Sequence, residues 1–139
     1  MRILLGLVIG LFGFSFSAQA HTKATITCQG DGHTLVVNFL DLKPGYQETV
    51  ASFGRPDQMM ELPEIFEVNT NLAQPGELEH NYEVRIYEGF YIAEDLKLGF
   101  VLSVVVDKAG QILRFGQNRF LVNREQVGTC SIERSLDQQ

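Results

Sequence analysis

Positive charge is scarce in this chain. Lys and Arg together number 11 among 139 residues, against 17 Asp and Glu, for a net charge of −6. Phosphate recognition needs clustered Lys and Arg, so the shortage excludes nucleic acid as a partner. Cysteine is scarcer still: Cys28 and Cys130 are the only two, and no Cys-x-x-Cys spacing exists to support a redox or metal-binding pair. Hydrolytic signatures are missing as well. The sequence contains no Gly-x-Ser-x-Gly, no His-Glu-x-x-His and no acidic pair with a reason to differ in pKa. Ser52 and Ser103 have no base that spacing would assign to them. The expectation is therefore a protein that is not an enzyme. An enzyme of unrecognised type, its site assembled from distant residues, is an alternative. Long apolar runs are absent too. The one apolar stretch, residues 3–16, is broken by Gly6, Gly10, Gly13 and Ser15. It falls short of the roughly 20 residues of a spanning helix, and no basic stop-transfer cluster follows it.

What that stretch does contain is a leader. Arg2 supplies the positive n-region, an apolar segment follows, and Ala18-Gln19-Ala20 places small residues where a signal peptidase needs them. A cut after Ala18 would put Phe16 at a position that requires a small side chain, so cleavage is expected after Ala20. Residues 1–20 read as a secretory signal peptide and residues 21–139 as one domain, soluble, without a stable membrane anchor, and periplasmic or secreted. Neither cysteine stands at a lipobox. Loss of 20 of the 139 residues leaves 119, with 10 basic and 17 acidic side chains and a net charge of −7. That length supports a single modest core. In an oxidising compartment Cys28 and Cys130 are expected to form one bridge closing a loop of about 100 residues, worth on the order of 4.7 kcal/mol in the chain-entropy model.

Periodicity points to strands throughout. Tyr82, Val84 and Ile86 alternate with Glu83, Arg85 and Tyr87, the two-residue period of a half-buried strand over 82–91, with Gly89 read as a bulge. Residues 100–106 are apolar apart from Ser103 and rich in valine, which predicts a central strand ending at the Asp107-Lys108-Ala109-Gly110 turn. Further strands are predicted over 111–115, 119–122 and 127–133, the first two separated by a turn at Gly116-Gln117-Asn118. The second half thus reads as a five-strand antiparallel meander. In the first half, strands are predicted over 24–28, 34–42, 47–53 and 64–68, with long loops over 54–62 and 69–79. The fold class is all-β: a small antiparallel barrel or sandwich of about seven to nine strands, its first and last strands joined by the disulfide. Phe39, Phe66, Phe90, Phe100, Phe115 and Phe120 are the expected bulk of a solid core.

Charge is unevenly distributed. Ten carboxylates fall between Asp57 and Asp95 against Arg85 alone, whereas residues 96–139 are slightly basic. An acidic segment keeps an exported protein soluble, and it also suits a cationic partner, whose association it would accelerate in a salt-sensitive way. The leading reading is a non-catalytic binding protein that docks a basic envelope protein through this segment, with Arg55, Met59, Met60, Tyr82 and Tyr87 as contact anchors.

The alternative reading is a copper protein. Cleavage after Ala20 would give His21 both a free amine and an imidazole for one ion. His33 or His80 would supply the third nitrogen of a site that copper prefers. In this respect His21 resembles the histidine brace of copper monooxygenases and periplasmic copper carriers. Copper is then the cofactor implied; on the leading reading there is none. Separately, Thr27-Cys28 near the start and Thr129-Cys130-Ser131 near the end, on strands flanking several alternating ones, loosely resemble the layout of the small barrel inhibitors of C-type lysozyme. That resemblance implies an inhibitor-like barrel acting on a basic enzyme. The Ser-Gly-x-x-Tyr loop of those inhibitors is absent from this sequence.

Overall fold

The computed structural model describes residues 20–41, 43–63, 66–72 and 82–138. The bulk of the leader, the Pro75-Gly76 break and His80 lie outside the described residues. Within them the chain forms nine strands: β1 (Ala20–Gly30), β2 (His33–Leu40), β3 (Gly45–Arg55), β4 (Gln58–Glu61), β5 (Phe66–Leu72), β6 (Tyr82–Ile92), β7 (Lys97–Asp107), β8 (Ile112–Val122) and β9 (Glu125–Gln138). Pairing is antiparallel throughout. The order β2-β1-β9-β8-β7-β6-β5-β3-β4, with β2 also bonded to β3, closes eight strands into a barrel and leaves β4 as an extra short strand. Of the two expected architectures, the barrel is the one formed, and closure removes the exposed edges an open sheet would present.

The seam between the first and last strands is extensively paired. β1 and β9 are in register from Ala20 opposite Gln138 to Gln29 opposite Thr129, with Cys28 opposite Cys130. Their sulfurs are bonded, with the Cα atoms 3.9 Å apart across 102 residues of sequence. The disulfide therefore rivets the first and last strands at the Gln29–Thr129 end of their seam. The β8–β9 seam is thinner, with pairs only at Phe120–Gly128, Leu121–Gln126 and Val122–Glu125. Asn118 extends it by a side chain: its Nδ2 donates to the Cys130 carbonyl at 2.8 Å and its Oδ1 accepts from the Cys130 N–H at 2.6 Å.

Several segments depart from the periodicity reading. The loop expected over 54–62 is a hairpin, in which β3 runs through Arg55, turns, and pairs with β4. The loop expected from Asn69 begins as strand, since β5 continues to Leu72. β4 and β5 lie end to end along β3, opposite Ser52–Arg55 and Gly45–Thr49 respectively. The turn expected at Gly116-Gln117-Asn118 is an irregularity inside one continuous β8. Gly116 makes room for Ser103, whose hydroxyl accepts the Gln117 N–H at 2.7 Å, and a Cβ at Gly116 would collide with that oxygen. The C-terminal meander accordingly has four strands, not five. The Asp107–Gly110 turn forms as expected, with the Gly110 N–H donating to the Asp107 carbonyl at 2.9 Å and Gly110 at φ 81°.

Gly89 is not a bulge. It is paired in unbroken register with Val68 and Phe100, and it is glycine because a Cβ there would meet the Phe66 and Phe100 rings at 2.6 and 2.7 Å. Phe66 stacks on Phe100 and Tyr91, and Phe39 meets Tyr87 edge-on. Phe39, Phe66, Phe100 and Phe120 are buried as expected, but Phe90 and Phe115 are each 46% exposed. The inward positions of β6 are Tyr87, Gly89 and Tyr91, which sends Phe90 outward. Phe115 follows the β8 irregularity to the surface. The alternation of β6 is real, but it is the face of Arg85 and Tyr87 that turns inward, while Tyr82 is exposed. A polar cluster at one end of the barrel explains that inversion.

Candidate functional site

Two groupings of polar side chains stand out, one inside the barrel and one outside. The inner grouping centres on Asp41, just past the end of β2. Its backbone N–H donates to the Thr22 carbonyl at 2.7 Å, which fixes the residue against β1. Its carboxylate is wholly buried and accepts from three sides: the Tyr87 hydroxyl at 2.7 Å, Arg85 Nη1 at 3.0 Å and Arg134 Nη1 at 3.3 Å. Arg85 also bonds Glu83 through Nε at 2.9 Å. Burying a carboxylate without partners costs several kcal/mol, and here β6 and β9 each contribute a guanidinium to prevent it.

Burial works against the Arg85 cation, yet the hydrogen bonds to Glu83 and Tyr87 and the charge of Asp41 carry its pKa above the ordinary value. Burial, reinforced by the Asp41 charge, pushes the Tyr87 phenol well above the usual tyrosine range. Tyr87 is therefore a neutral donor that keeps its proton. Beside this group Gln47 spans the gap where β2 and β3 part, its Oε1 accepting from the Leu40 N–H at 3.1 Å and its Nε2 donating to the Lys43 carbonyl at 2.6 Å. No described buried side-chain donor or acceptor lacks a partner. The cluster's chemistry is that of a satisfied internal clasp joining β1, β6 and β9.

The outer grouping lies on β3, β5 and β6. Glu48 stands directly opposite Glu67, and Tyr46 opposite Asn69. One strand further, Phe90 is opposite Glu67 and Glu88 opposite Asn69, whose Nδ2 bonds Glu88 at 3.2 Å. Tyr46, 60% exposed, meets the Phe90 ring edge-on at 6.4 Å between centroids. Like charges directly opposed across strands are unfavourable. Among the described residues neither Glu48 nor Glu67 has an ion-pair partner. On the far side of Tyr46 and Glu48 a groove of about 890 Å³ opens between β2 and β3, with Leu40, Lys43 and Val50 also on its walls.

The residues singled out by sequence are scattered. Arg55, Met59 and Met60 share the β3–β4 hairpin, with Met60 67% exposed. Tyr82 is exposed but begins β6, opposite Asp107 and far along the barrel from that hairpin. Tyr87 is no surface anchor: it is wholly buried and committed to Asp41. His33, opposite Gly30, stacks on Phe53 at 5.5 Å, whereas His21 lies opposite Asp137 at the far end of the same hairpin. Some nine residues of strand separate them, roughly 30 Å, so the fold does not bring His21 and His33 to one copper ion. His80 lies outside the described residues.

No family model, no curated protein and no solved structure matches this chain. Asp41, Tyr46 and Glu48 were not singled out by sequence. The signal available for Asp41 was an arginine paired in alternation with a tyrosine on β6, which needs a buried counter-charge if that face turns inward.

Proposed function

We propose that this protein is a non-catalytic, exported binding module that docks a basic protein partner on the outer face of β3 and β5. The observation that carries the reading is the directly opposed Glu48–Glu67 pair, without an ion-pair partner among the described residues and bordered by exposed Tyr46 and Phe90. A fold keeps such a repulsive arrangement at a cost unless something profits from it. A Lys or Arg side chain entering between the two carboxylates would relieve the repulsion and lie against an aromatic face, gaining charge and cation–π attraction together. Export is supported by the leader pattern and by the Cys28–Cys130 disulfide, which needs an oxidising compartment to persist.

The test is calorimetric titration with C-type lysozyme as a basic probe protein, at low and at high salt. Saturable binding is expected at low salt, weakened by salt and abolished by the double variant Glu48→Gln/Glu67→Gln. The control is Glu125→Gln/Glu133→Gln, which removes the same charge from exposed positions on β9. Equal losses in the two variants would reduce the effect to net charge and overturn the docking site.

A further inference from the structure

The groove between β2 and β3 lies where the barrel's closing seam comes apart. Pairing of the two strands runs from Thr34–Gly54 to Asn38–Val50 and goes no further. Beyond that point β1 still holds β2 as far as Leu40, and β5 holds β3 from Thr49 back to Gly45. The gap is one side chain wide, since Gln47 reaches across it to accept the Leu40 N–H. Strand geometry decides which backbone groups face it. The Ala51 carbonyl accepts the Leu62 N–H at 2.9 Å on the β4 side of β3. Backbone groups of successive residues point to alternate sides, so those of Val50, Glu48 and Tyr46 turn toward β2. For Glu48 and Tyr46 no described backbone group is there to pair with them.

The walls of this groove carry both signs. Lys43, on the connection from β2, and Lys23, on β1, stand on it together with Glu48 of β3. Lys43 and Glu48 are exposed, and among the described residues neither belongs to an ion pair, with the other or with any third group. Beyond Glu48, on β5, stands Glu67. A purely cationic ligand would match the carboxylates and be opposed by Lys43. A ligand that holds a cation and an anion one side chain apart satisfies both walls.

We propose that the groove receives the C-terminal residue of the basic partner, a lysine or arginine. Its side chain enters between Glu48 and Glu67, while its α-carboxylate lies over the gap against the Lys43 ammonium and the Tyr46 and Glu48 N–H groups. This rests on the docking reading above and adds to it which part of the partner is held. At a chain terminus a carboxylate and a basic side chain belong to one residue, and free backbone N–H groups are a recurrent seat for a terminal carboxylate. An internal acid next to an internal base would send the two charges to opposite faces of an extended segment. A free amino acid would bring an α-ammonium beside Lys43 and Lys23. Leu40 and the exposed Val50 and Tyr46 offer apolar contact to the residues that precede the terminus.

Fluorescence anisotropy on the disulfide-bonded mature protein tests this, using short synthetic peptides labelled at the N-terminus, with far-UV circular dichroism confirming that each variant is folded. A peptide ending in lysine with a free carboxylate is expected to bind saturably, and its C-terminal amide about tenfold more weakly, the scale of one hydrogen bond to a charged group. Lys43→Gln is expected to bring the free-acid peptide down to the level of the amide without weakening the amide. Glu48→Gln is expected to weaken both. Equal affinity of acid and amide, or an acid peptide indifferent to Lys43→Gln, would overturn the capture of a chain end; if that binding still falls with Glu48→Gln, docking of a basic side chain stands without it. An acid peptide that does not bind overturns the capture as well, and docking is then read from the lysozyme titration alone. Free lysine that displaces the peptide at equal concentration would assign the groove to an amino acid and equally overturn it.

Discussion

At the scale of single residues, Asp41 has the largest consequences. Its carboxylate has no contact with water and holds two guanidinium groups whose side chains are 13% and 18% exposed. Replacing it with Ala takes the carboxylate from Arg134 and leaves Arg85 with Glu83 alone. Asp41→Ala is expected to cost about 3–4 kcal/mol, toward the lower part of the range for a broken buried pair because both arginines keep some access to water. Chemical denaturation checks this as a lower midpoint at unchanged slope. Tyr87 gives the cluster a pH signature. Its folded pKa lies above the unfolded value of about 10, so the folded state holds the proton more tightly. The resulting stability is complete below pH 10 and is lost as pH rises from there toward the folded pKa, because the unfolded chain releases the proton first. Tyr87→Phe is expected to lower stability by about 1–2 kcal/mol at neutral pH through the lost bond to Asp41. It should also flatten the decline of the unfolding midpoint between about pH 9 and pH 11, the range that brackets the unfolded pKa; a variant that declines as steeply as the wild type would rule Tyr87 out as the source.

At the scale of elements, glycine and cysteine decide more than hydrophobicity does. Gly89→Ala is expected to cost about 3 kcal/mol, since two core rings stand within 2.7 Å of the new methyl and are themselves stacked. Gly99→Ala, directly across from Phe90 on β7, meets only ordinary contacts and is expected to change the thermal midpoint little. Replacing Cys28 and Cys130 together by Ala should cost about 2–5 kcal/mol, read from the same denaturation curves. How much of this was legible follows from the same residues. The all-β class, the cysteine pair and the Asp107–Gly110 turn could be read directly, because alternation, two lone thiols and a positive-φ glycine are local signals, whereas barrel and sandwich share the same alternation and only the β1–β9 and β2–β3 pairings decide between them. The inward face of β6 could not. Polarity alone would turn Val84 and Ile86 to the core, and only Asp41 on β2's exit and Arg134 on β9 make the opposite choice favourable. The role of Gly89 was hidden for the same reason, since the rings that forbid its side chain come from β5 and β7. The hairpin within 54–62 was missed because β4 is four residues long and half polar, too short for a period to show.

At the scale of the whole molecule, the barrel separates what holds it shut from what it shows to others. Closure rests on the ten-pair β1–β9 seam, its disulfide and the Asp41 clasp, and the outward residues of that seam are polar. The exposed large apolar side chains, among them Tyr46, Phe90 and Phe115, are gathered on β3 through β8. This division allows surface variants to be read without disturbing the fold, and it supports a prediction that separates binding from stability. If the Glu48–Glu67 opposition is maintained for a partner, removing it should help the isolated protein while harming the complex. Glu48→Gln/Glu67→Gln is expected to raise stability by about 0.5 kcal/mol at low ionic strength, the scale of a cross-strand charge pair, and by less at physiological salt, where exposed charges are screened. The same variant should lose affinity for a basic protein. Thermal unfolding at two salt concentrations, set beside the titration, reads both effects on one preparation. A double variant that is less stable than the wild type would mean that the carboxylates are engaged within the barrel itself, and the case for an unrelieved repulsion would fail.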